Sequence, residues 1–100
     1  LARGEHRWFP SPPRTWTGEV DRFFDALAAF DAELQGATPL GATPERLFQG
    51  PVADALTHVG QLAMLRRLAQ SPVTGENYFK AEIEIGRIGP GQPDRRVEFE

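Results

Sequence analysis

An all-α fold is what this sequence predicts, with the chain supplying two long helices of an up-down bundle plus an extended tail. Three observations carry that expectation. Apolar residues recur at helical spacing over 17–35. They recur again over 50–70, where few positions are polar. Prolines and glycines gather between and beyond these stretches, where they end helices rather than interrupt them.

Composition sets the outer bounds. A chain of 100 residues, 40% hydrophobic and 25% charged with net charge -3, fits one globular domain. Its mild acidity offers no electrostatic footprint for nucleic acid. No apolar run is long enough to span a bilayer, and no charged segment leads into a signal-like apolar stretch. The absence of cysteine excludes disulfide and thiolate chemistry and is compatible with a reducing cytoplasm, the expected location.

Residues 1–14 contain Pro10, Pro12 and Pro13, which favour extended backbone, so this is an extended lead-in whose Trp8 and Phe9 dock on the body. His6 lies among charges and reads as solvated. The helix over 17–35 can be capped by Thr15 or Thr17, with Glu19 favourably placed in its first turn. Val20, Phe23, Phe24, Leu27, Phe30 and Leu34 form one stripe, and Asp21, Arg22, Asp25 and Glu33 lie opposite. Asp31 sits at the stripe's edge and reads as solvated. Gly36 is suited to a left-handed terminator.

The connector over 37–50 contains a second start signal, Thr43 followed by Pro44. The helix it opens is expected to be short, because Gly50-Pro51 interrupts it, and Pro51 then opens the long helix. The connector's length suits antiparallel packing of the two long helices. Ser71-Pro72 ends the second one, and Arg66 and Arg67 complement its negative end. Beyond it, Phe79, Ala81, Ile83 and Ile85 alternate with charged residues. A helical turn near 76–80 and an extended run to Ile88 are expected, as a tail over 74–100 lying on the bundle with frayed last residues.

The candidate site lies on the second long helix. At about 100° per residue, Asp54, His58, Gln61 and Leu65 fall in one sector, flanked by Leu62 and Leu68. Val52, Ala55, Leu56, Val59 and Ala63 form a second apolar sector, leaving Ala53, Gly60, Met64 and Arg67 as the wet strip. Most of this helix therefore asks for burial, and a buried polar group needs a partner. Asp54 and His58 are one turn apart, so one metal ion can touch both; equally, they can be a hydrogen-bonded pair in which the carboxylate fixes the imidazole tautomer. Two helices cannot bury two sectors of one of them. Segments before Leu1, or another copy of the chain, are expected to complete the core; the first residue is not a methionine, which suits a piece of something longer.

The run His58-Val59-Gly60-Gln61-Leu62, followed by Leu65-Arg66 and Ser71-Pro72-Val73, resembles the last bundle helix of the DinB superfamily of DinB/YfiT-like metalloenzymes. The resemblance covers about residues 15–75 and is clearest over 51–73. It implies a four-helix bundle, often a dimer, holding one divalent metal through three histidines, two on the last helix and one on the second. His58 matches the second histidine of the last helix. Asp54 stands in the place of the first, and Val59 stands where arginine is usual. The remaining ligand would lie before Leu1.

Aspartate is a legitimate ligand beside imidazole for zinc, nickel or iron. Two functions follow. One is a metal-dependent enzyme on a small-molecule substrate, as some relatives transfer thiol cofactors or isomerise small acids, with Gln61 orienting water or substrate. No separate general base is evident for it. The other is a non-catalytic, stress-associated bundle that dimerises through its apolar surface, with Asp54 and His58 as a structural pair.

Overall fold

The computed structural model describes Arg3, Gly4 and residues 10–97. The expectations for His6, Trp8 and Phe9 fall outside the described residues. The chain is helical, with no strand among the described residues. It divides into two compact units, Leu1–Phe48 with Ile88–Pro90, and Gln49–Arg87 with Gly91–Glu100.

In the first unit, α1 spans Trp16–Gln35. Thr15 is its cap: its hydroxyl accepts from Gly18 N–H at 3.1 Å, satisfying one of the free amides of the first turn. Glu19 reaches back to accept from Arg14 N–H at 3.0 Å and pairs with Arg22 at 2.6 Å. Val20, Phe24, Leu27 and Phe30 are partly shielded, as the stripe requires, while Phe23 and Leu34 at its margins stay open. Phe23 and Phe24 meet edge to face at 5.2 Å. Asp31 accepts from Gln35 of the same helix at 2.5 Å. Gly41 passes so close to Gly4 that a Cβ on it would run into the Gly4 backbone.

Two helix ends differ from expectation. Gly36 is not left-handed but extended, at φ -69° and ψ 161°, so α1 ends without the αL turn. Gly50-Pro51 does not break the chain into two helices. α2, Pro44–Leu47, capped by Thr43, runs through a π-helical turn at Phe48–Val52 into α3, Ala53–Leu68. Proline lacks the N–H that an α-helical turn needs, and its ring crowds the carbonyl four residues back; one wider turn absorbs both. Val52 accordingly makes no side-chain cap, since no helix begins there. Leu47, on α2, is the most enclosed apolar side chain among the described residues, 3% exposed.

α3 closes with a Schellman turn. Gln70 is left-handed at φ 60°, its N–H donates to Arg67 C=O at 3.1 Å, and Ser71 N–H donates to Arg66 C=O at 2.9 Å. Beyond it, a turn at 78–80 is tied by Lys80 N–H to Asn77 C=O at 3.0 Å, close to the expected place. The extended run breaks earlier than expected, at a turn where Gly86 takes φ 89°. Asn77 N–H donates to Arg96 C=O at 2.7 Å, and Arg96 pairs with Glu82; the expectation for the last residues falls outside the described residues. Among the described residues, no helix is long and apolar enough to cross a membrane.

Candidate metal centre

The helical register of α3 brings Asp54, His58 and Gln61 together, as their spacing requires. His58 Nε2 stands 3.4 Å from Asp54 Oδ2, and His58 Nδ1 lies 2.8 Å from Gln61 Oε1. The imidazole is thus flanked on both sides by residues of its own helix. Gln61, expected to orient water or substrate, lies against the ring.

The two distances are different in kind. The contact with Gln61, at 2.8 Å, lies within the ordinary hydrogen-bond range. On the ring's other side, Nε2 faces the Asp54 carboxylate across 3.4 Å. That separation exceeds the ordinary N–H···O range of about 2.7 to 3.2 Å. Both side chains are largely exposed, so water bridges this gap as readily as a metal ion would.

A metal ion fits the spacing. Zinc-type ligands stand about 2.0 to 2.1 Å from the ion, so two corners of a tetrahedron lie about 3.3 to 3.4 Å apart. Neighbouring corners of an octahedron at the same bond length lie closer, at about 2.9 Å. Ligands four apart on one helix face are an established way to hold zinc. A ligating histidine whose other ring nitrogen donates to a carbonyl oxygen is the usual supporting arrangement, and Gln61 supplies it.

The surroundings differ from the sequence expectation. The pair was expected on a buried face, but the His58 side chain is 63% exposed and that of Asp54 73%. Leu62 and Leu65, flanking the pair, are 60% and 57% exposed. Leu56, Val59, Met64 and Leu68 are open as well, so apolar residues of both expected sectors lie exposed in this chain. Ala53 and Ala63 are the partly shielded positions of α3, although Ala53 was assigned to the wet strip. No third histidine, cysteine, aspartate or glutamate joins the pair among the described residues. A groove lined by Ala63, Met64, Arg67 and Val73 lies on the opposite side of α3 by helical register.

Comparison with protein-family models, with curated proteins and with solved structures returned no match for this chain. The chemistry of the site therefore rests on its own geometry.

Proposed function

We propose that this chain is part of a DinB-like helical bundle that binds a divalent metal ion, zinc, nickel or iron, through His58 and Asp54. The observation that supports this reading most is the 3.4 Å separation of His58 Nε2 and Asp54 Oδ2, with Nδ1 engaged by Gln61. His58 contributes a neutral nitrogen and Asp54 a charged oxygen, with Gln61 against the ring. An ion bound there with one position open would lower the pKa of a water or thiol on it, the chemistry a metal-dependent enzyme of this superfamily needs. The non-catalytic reading draws support from a different observation, the open apolar flank of Leu62 and Leu65, which suits a dimer.

Calorimetric titration of the metal-free protein with zinc tests the reading. Stoichiometric binding that disappears in His58→Ala is expected. Gln61→Ala is expected to weaken it about 10- to 100-fold, the usual effect of removing a hydrogen bond that orients a ligand. Zinc uptake indifferent to His58 would end the proposal. All three side chains are exposed, so their replacement leaves folding intact.

A further inference from the structure

We propose that the groove along the last turns of α3 binds a small amphiphile, a short alkyl chain ending in a carboxylate, with Arg67 taking the acid group. The groove lies on the side of α3 away from His58, and the proposal does not depend on the metal reading.

The end of the helix builds the groove. Ala63, Met64 and Arg67 are three and four apart, so they share one stripe. The left-handed Gln70 turns the chain back, and Val73 arrives beside that stripe to line the groove with it. Ser71 N–H donates to Arg66 C=O at 2.9 Å, and Arg66 Nη2 donates to Ser71 Oγ at 3.1 Å. The turn is thereby held, and Arg66 is occupied in holding it.

Size, lining and charge together choose the occupant. The groove has a volume of about 240 Å³, below the range of about 300 to 1,000 Å³ usual for drug-sized ligands. That is room for about eight waters at about 30 Å³ each, and so for an alkyl chain of about as many carbons. Ala63, Met64 and Val73 offer it apolar surface, and the unbranched side chain of Met64 adapts to a chain lying along it. Arg67 is the cation of the groove, and its guanidinium makes no hydrogen bond or ion pair among the described residues. The helix carbonyls beside it are already engaged: Leu65, Arg66 and Arg67 C=O accept from Ala69, Ser71 and Gln70 N–H. An incoming anion therefore meets a free guanidinium, whose planar fork suits a carboxylate. With net charge -3, the chain has no general attraction for anions, so a carboxylate held here is held by this local charge.

Amide NMR shifts of the isotope-labelled full chain, titrated with sodium octanoate below its micelle-forming concentration, test the proposal. Saturable one-to-one shifts centred on Ala63, Met64, Arg67 and Val73 are expected. Arg67→Gln is expected to weaken octanoate about fivefold, the effect of losing an exposed ion pair. Arg46→Gln removes the same charge from the other unit and should change nothing. Both arginines are exposed, so both variants keep their fold. Octanol, the same chain without the acid, should bind the native protein about as weakly as octanoate binds Arg67→Gln. Equal binding of octanol and octanoate overturns the inference, as does the absence of saturable shifts. Shifts spread over the open Leu56, Leu62 and Leu68 overturn it too, because the acid would then merely coat apolar surface. Shifts at the groove on raising the protein concentration alone would assign it to a second copy. Tighter binding of an amidated leucine–glutamate peptide than of octanoate would assign it to a protein partner. Either result overturns the inference.

Discussion

α1 and α3 are comparable in length and apolar content, yet they are used differently. In α1 the apolar residues are gathered on one side, and Val20, Phe24, Leu27 and Phe30 are partly shielded within their own unit. In α3 they are spread around the axis, and Leu56, Leu62, Met64, Leu65 and Leu68 are each more than half exposed. A helix apolar on several sides is suited to the interior of a larger assembly. The apolar side of α1 is partly covered, and the apolar residues of α3 are open.

The largest expected effect tests that difference directly. Phe24→Ala removes a large shielded side chain from α1 and should lower stability by about 2 kcal/mol in chemical denaturation, less than a fully buried phenylalanine would cost. Leu62→Ala on α3 should change the metal-free protein by no more than about 0.5 kcal/mol, since its side chain is already in water. Equal losses for the two would mean that α3 is packed after all, and the contrast would fall.

The helix ends extend the comparison. Gln70 holds a left-handed conformation that costs a side-chain-bearing residue free energy, whereas Gly36 sits in a conformation any residue adopts. Gln70→Gly should therefore raise stability by about 0.5 to 1 kcal/mol, the gain limited by the added freedom of glycine in the unfolded chain. Gly36→Ala should be neutral or slightly stabilising, because a Cβ there meets Ala32 C=O at no less than 3.4 Å. Thermal melts of the two variants check both signs. Destabilisation by Gln70→Gly would show that the glutamine side chain matters more than its backbone strain.

These ends also show what was legible in the sequence. Thr15 and the Thr43-Pro44 pair announced their helix starts, because capping is a local matter between a side chain and amides two or three residues on. The π-helical turn at Pro51 was not legible, because whether a helix ends at a proline or widens around it depends on what continues beyond. Glycine suggested the left-handed turn at the wrong helix. Nothing local marks Gln70, whose turn is imposed by the paired carbonyls of Arg66 and Arg67. For the site, spacing alone placed Asp54, His58 and Gln61 on one face. It did not foresee that the face is open, since exposure depends on what the rest of the chain covers.

The smallest expected effect belongs to α1 and concerns pH. Glu33 was placed by periodicity on the polar side, where it pairs with Arg3. The hydrogen bond from the Arg3 guanidinium holds the Glu33 carboxyl below its ordinary value; desolvation opposes it, and the Arg3 charge adds a smaller lowering contribution. A carboxyl depressed in the folded state binds protons less readily there than in the unfolded chain. Its contribution to stability is therefore complete above the ordinary carboxylate value and is lost as pH falls through the lower folded one. Glu33→Gln should flatten the acid limb of the stability profile in that window and leave neutral pH almost unchanged, because an ion pair this open to solvent is strongly screened. High salt should reproduce the flattening in the native chain. A profile that keeps its acid slope in the glutamine variant would show that the Arg3–Glu33 pair is not its source.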